Sequence, residues 1–154
     1  MHIIESASLG DAQKRDVMLL WNQEYPAQLS YTSMEGFDNY LDGLSDKLHY
    51  LGIDNEGRII GWALSFIRDG ERWFAIIIQR DAQAKGNGTA LLRALKARGE
   101  RLAGWVTDHE RYMKADGTAY SSPLKFYLRN GFTLRPDVRL EIEKLSAVRI
   151  EWQP

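Results

Sequence analysis

The segment "QRDAQAKGNGTALLRALKARG", residues 79–99, constrains the fold more than any other stretch. It follows an apolar run, "RWFAIII", and leads into a helical pattern over 86–98, with Leu91, Leu92 and Leu95 inward and Gly99 as a stop. A strand that enters a glycine turn and then a helix opens a βαβ crossover, which the next apolar run, "LAGWV", completes. The two strands of such a unit lie parallel, so residues 73–107 predict one parallel pair. The first N–H groups of its helix lack carbonyl partners and carry the partial positive charge of the helix end. Gly86 and Gly88 leave that backbone open to close approach, and a phosphate or pyrophosphate is the group such a turn holds. Gln83 and Lys85 flank the turn as further donors. Other phosphate motifs are absent: there is no GxxxxGK[ST], and residue 91 is Leu where a GxGxxG fingerprint needs Gly.

Around this unit the pattern is mixed. "HIIESA" reads as a first strand. Ser8 with Asp11 opens a helix in which Val17, Leu20 and Trp21 recur at helical spacing, ended by Pro26. Thr32 and Glu35 form a second capping box before "SMEGFDNYLDGL", with Phe37, Tyr40, Leu41 and Leu44 on one side. "KLHYLGI", "GRIIGWALSFI" and "RWFAIIIQ", separated by the turns "DNEG" and "RDGE", read as three antiparallel strands. "HERYMKADGTAY" is a polar loop. "SSPLKFYLRNG" is a short helix with Ser122 as cap, Pro123 at its first position and Gly131 past its end. "GFTLR", "VRLEIEKL" and "AVRIEWQ" close the chain as strands. The fold class is therefore α+β: a largely antiparallel sheet of six to seven strands with one parallel crossover, flanked by about four helices. The length, 154 residues, fits one domain, 1–154.

The net charge of −1 gives no global field for nucleic acid. The absence of cysteine excludes disulfides and thiolate chemistry and fits a reducing compartment. His2, His49 and His109 lack ligand spacing, so no metal site is expected. The N-terminus meets charge after four residues, unlike a signal peptide, and no stretch approaches a membrane span. A soluble, cytoplasmic protein, monomer or homodimer, is the expectation, with the C-terminal "VRIEWQP" as a candidate exposed strand edge for self-pairing.

Two segments resemble a known family. "QAKGNG", residues 83–88, is similar to the Q/R-x-x-G-x-G/A signature of the GNAT superfamily of acyl-CoA-dependent N-acetyltransferases. "PLKFYLRNGF", residues 123–132, resembles its second motif, an aromatic–Tyr pair followed by Gly-Phe. The resemblance runs along nearly the whole chain in element order. It implies acetyl-CoA as co-substrate and an amine as acceptor, a small molecule or a protein amine, attacking directly. It places the pyrophosphate on Gln83, Ala84, Lys85, Gly86, Asn87, Gly88 and Thr89. The pantetheine arm would pair with the backbone of Ile76 and Ile78, the Ile78 N–H would meet the thioester oxygen, and Tyr127 would be the general acid for the departing thiolate. A phenol whose ordinary pKa is near 10 matches a thiolate of similar basicity.

The chain departs from the family pattern at Asn87, where an apolar residue is usual, at Tyr120 in place of Asn, and at Arg80 in place of Pro. Phe74 stands where some members carry a Glu base. The base is thus unassigned, with Glu71, Asp108, His109 and Glu110 as candidates. Trp21, Tyr25, Tyr31, Tyr112 and Tyr120 are candidates for an acceptor lining, and Glu24 and Glu110 for attracting a cation. Two alternatives stay open: an acyl-CoA-binding sensor without turnover, and a fold that uses the glycines only as a turn.

Overall fold

The computed structural model describes residues 1–154. Seven strands form one sheet: β1 (His2–Ser6), β2 (Ser45–Ile53), β3 (Ile59–Arg68), β4 (Glu71–Ile78), β5 (Leu102–Val106), β6 (Thr133–Ile142) and β7 (Leu145–Trp152). Four helices flank it: α1 (Asp11–Glu24), α2 (Met34–Asp42), α3 (Asn87–Lys96) and α4 (Leu124–Arg129). Strand order is β1-β2-β3-β4-β5-β7-β6, and every pair is antiparallel except β4–β5. The class, the strand count and the single parallel crossover agree with the sequence.

Alternation along the strands divides the core. Trp62, Leu64 and Phe66 of β3 face α1 and α2, where they meet Val17, Leu20, Trp21, Phe37 and Leu41. Ala63 and, from neighbouring strands, Tyr50 and Phe74 face α3 and α4, where they meet Leu91, Leu92, Leu95 and Tyr127. Helices α1, α2 and α3 each contribute residues three or four apart, so one stripe of each is buried.

Several boundaries differ from the sequence reading. The α1 N-cap is Gly10, not Ser8, and the Gln13 side chain accepts the Gly10 N–H at 2.9 Å. The α2 cap is Ser33, not Thr32; its hydroxyl accepts the Gly36 N–H at 3.2 Å. Pro123 precedes α4 rather than opening it, though Ser122 still accepts the Leu124 N–H. "GFTLR" and "VRLEIEKL" are one strand, because Pro136, Asp137 and Val138 bulge out between the pairs Arg135↔Arg149 and Arg139↔Val148. The C-terminal strand is not an edge: β7 lies between β5 and β6, and β6 is the edge.

His49 is buried, and its Nδ1 accepts the Trp62 Nε1–H at 3.1 Å. Burial, with the charges of Lys47 and Lys14, lowers its pKa to about 4. The unfolded chain binds this proton near pH 6.5, and the folded chain refuses it until about pH 4. Stability from this site is therefore complete above pH 6.5 and is lost as pH falls toward 4. Urea denaturation across this window should show the slope in the wild type and a flatter slope in His49→Asn, which keeps an acceptor but does not titrate.

Candidate active site

The parallel pair β4–β5 is joined at one register position, Trp73↔Ala103. Beyond it the strands part. The Gln79 N–H donates to Ile60 on the β3 side at 2.9 Å. Backbone direction alternates along a strand, so Ile77 and Ala75 also point toward β3, while Ile76 and Ile78 point into the gap. The Ile78 carbonyl takes the Gln83 side-chain amide at 2.9 Å, and its N–H faces the opening.

At the end of this gap lies the turn into α3. Ala84 is held at φ 59° and Gly86 at φ 82°. The left-handed conformation costs an L-residue about 1–2 kcal/mol, so the turn is strained at Ala84 and relieved by glycine at 86. The first bond within α3 runs from the Ala90 N–H to the Gly86 carbonyl. The N–H groups of Asn87, Gly88 and Thr89 have no helical acceptor. The Asn87 side chain closes the turn on the Ala82 carbonyl at 2.9 Å, and Lys85 is exposed. The two glycines have different reasons. Open space lies above Gly86, whereas a Cβ on Gly88 would sit 2.9 Å from Cζ of Phe126. Gly88 admits a ring of α4, a packing role the sequence reading did not assign.

The gap opens into a cavity of about 810 Å³ that reaches from this turn to α1 and α2. Ile76, Ile78, Gln83, Ala84, Gly86, Gly88, Thr89 and Tyr127 line it; Lys85 and Asn87 do not. Tyr127 is buried against Phe74 and Phe132, with Phe126 beside it turned toward Gly88. Burial, with Tyr120 nearby, pushes its phenol well above the ordinary value. Burial raises Tyr25 strongly too, and pushes Tyr120 up to about 12. All three line the cavity as protonated hydroxyls at neutral pH.

None of the four candidate bases reaches the cavity wall. Arg149 holds Glu71 at 2.6 Å, and Arg139 holds Asp108 at 2.7 Å. Glu110 accepts the Ser122 N–H at 3.2 Å, and His109 Nδ1 accepts the Arg111 N–H at 3.2 Å. Of the acceptor-lining candidates, Trp21, Tyr25 and Tyr120 line the cavity. Tyr31 instead packs on Trp21 and Phe37, and the Tyr112 hydroxyl accepts the Ser146 N–H at 2.7 Å.

The family model for an acetyltransferase (GNAT) domain matches residues 46–134, more than half of the chain. The chain belongs to the GNAT acetyltransferase family. Its fold is shared along nearly the whole length with solved structures. An aminoglycoside 6'-N-acetyltransferase complexed with coenzyme A is 13% identical, covers 98% of this chain and 96% of its own, and superposes with a TM-score of 0.73. A GNAT superfamily phosphinothricin acetyltransferase from Sinorhizobium meliloti, in complex with AcCoA, is 15% identical over 98% and 88%, with a TM-score of 0.66. Escherichia coli ElaA is 13% identical over 99% and 100%, also at 0.66. No curated protein matches the chain by sequence.

Within this GNAT fold, sequence reasoning missed one pair. Glu24, in the last turn of α1, is buried in the cavity wall. Its carboxylate accepts Lys114 Nζ at 2.8 Å and the Arg80 N–H at 3.0 Å. Lys114 is half-buried, with 10% of its side chain exposed. Arg80 reaches across to Asp116 and Thr118 at 2.8 Å each. These contacts tie α1, the turn before α3 and the 108–122 loop together. The only sequence signal was Glu24 at a helical spacing from Val17, Leu20 and Trp21, which places a carboxylate on the buried stripe.

Lys114→Met strands the Glu24 charge and should cost about 3 kcal/mol in denaturant unfolding. Adding Glu24→Gln should recover much of that loss, since the amide oxygen still accepts the Arg80 N–H.

Proposed function

We propose that this protein transfers an acetyl group from acetyl-CoA to a primary amine. The observation that carries the reading is the gap between β4 and β5, which leads from the unpartnered N–H groups of Asn87, Gly88 and Thr89 past Ile78 and Ile76 to Tyr127. The pyrophosphate sits on the backbone from Gln83 to Thr89, where the helix end and the strained turn present donors. The pantetheine amides pair with Ile76 and Ile78 as an added strand would. The Ile78 N–H meets the thioester oxygen as charge develops on it. The neutral amine attacks the carbonyl carbon, the C–S bond breaks, Tyr127 gives its proton to the departing thiolate, and the proton lost from nitrogen passes to solvent, from which the phenol is restored. Burial keeps the phenol protonated at neutral pH, and the same apolar wall destabilises the thiolate and raises its basicity to meet it. The protein acts as one domain over residues 1–154.

One observation favours a second reading, an acyl-CoA-binding sensor. Phe74 is part of the core, and Glu71 and Asp108 are held in ion pairs away from the cavity. Thiol release in the presence of amines separates the two readings: turnover supports the enzyme, and binding without release supports the sensor.

Tyr127→Phe should slow turnover by about 10²-fold with acetyl-CoA affinity held; unchanged turnover would remove the acid role. Gly86→Asp should weaken acetyl-CoA binding at least ~10-fold, with a stability loss of no more than about 1–2 kcal/mol from the left-handed φ. The site above Gly86 is open and Asp tolerates a left-handed φ, so the change adds charge without a clash. Gly88→Asp is the poorer probe, because Phe126 would be displaced as well.

A further inference from the structure

The half of the cavity away from the α3 turn is walled by aromatic rings. Trp21, Tyr25, Tyr40, Phe66, Trp73 and Trp105 line it, and all belong to or pack on the core face beneath α1 and α2. Glu24 is the one carboxylate in the cavity wall. Both of its oxygens are engaged, one by Lys114 and the other by the Arg80 N–H, so no free negative charge meets a cation there. The other charged groups of the wall are Arg68 and Arg129. Arg129 lies on α4 beside Asn130, whose side chain accepts the Thr89 hydroxyl, at the α3 end. Arg68 stands alone at the aromatic end. No ion pair involves it.

We propose that the acceptor is an amine on an aromatic body with an acidic group at its far end, and that Arg68 selects that acidic group. The inference rests on the acetyltransferase reading and adds the substrate class. A polyamine or an aminoglycoside brings several cations to a wall whose charge balance is already positive. An acidic group finds a guanidinium free to take both of its oxygens. The body between them is set by the rings, which offer flat apolar contact.

Register gives the separation. The Arg68 guanidinium folds back over the Phe66 ring, 4.9 Å from its centroid. Phe66 pairs across the sheet with Trp73, five residues before Ile78, whose N–H meets the thioester oxygen. At about 3.3 Å per residue, the Arg68 charge lies about 16 Å along the sheet from that N–H. The acidic group and the reacting nitrogen therefore lie at opposite ends of the acceptor, unlike an α-amino acid, where they share one carbon.

The test is thiol release from acetyl-CoA with four amines: 4-(2-aminoethyl)benzoate, phenethylamine, spermidine and kanamycin. Acetyl-CoA binding is measured separately by calorimetry. The proposal expects kcat/KM for the benzoate at least 10-fold above that for phenethylamine, carried by KM, with no release from spermidine or kanamycin. Arg68→Gln should bring the KM values of the two aromatic amines together. Arg68 is exposed at the end of β3, so the exchange spares the core. Equal use of the two aromatic amines, preference for either polycation, or no release from any of the four while acetyl-CoA binds would each overturn the proposal. Failure of acetyl-CoA to bind would overturn the acetyltransferase reading along with it.

Discussion

One pair of residues, Trp73 and Ala103, holds the two parallel strands of the sheet together, and past that pair they separate. A sheet normally closes such a gap, because unpaired backbone groups in an apolar setting are costly. Here each strand is fully supported from its other side. β4 pairs with β3 along its whole length, and β5 pairs with β7 along its whole length. The strands are therefore fixed from outside the opening, and the backbone groups of Ile76 and Ile78 stay directed into it. The cavity, the exposure of Ile76 and Ile78 to it, and the position of Tyr127 at its wall all depend on this parting.

Several contacts keep the opening in shape from the ends. The Gln83 side chain ties the turn back to Ile78, and Asn87 ties it to Ala82. Phe126 fills the space over Gly88, so α4 rests on the first turn of α3. On the other side, Glu24 gathers Lys114 and the Arg80 backbone, and Arg80 gathers Asp116. These are fixed, short-range anchors around a space that is otherwise lined by rings. The arrangement leaves backbone donors directed into the opening and ties its walls to one another.

Much of the fold was legible because its signals are local. The glycine turn between an apolar run and a leucine stripe marked the crossover, and the turns "DNEG" and "RDGE" marked the hairpins. Errors arose where two adjacent residues compete for one role. Thr32 and Ser33 are both good caps, and only packing decides between them. "GFTLR" and "VRLEIEKL" read as two strands, yet an edge strand tolerates the intervening Pro136 as a bulge. The least legible feature was the Glu24–Lys114 pair, because its partners are 90 residues apart and no period links them. The base candidates failed for the same reason: Arg149 and Arg139, which hold Glu71 and Asp108, lie far off in sequence. Gly88 was read as a place where a phosphate approaches the backbone, and what the structure brings against it is the chain's own Phe126.

The most direct measurement is amide hydrogen exchange with and without acetyl-CoA. The account predicts added protection at the amides of Ile76 and Ile78 and from Ala84 to Thr89, with the edge strand β6 unchanged. Saturating acetyl-CoA with no added protection at those amides, or with protection confined to another surface, would contradict it.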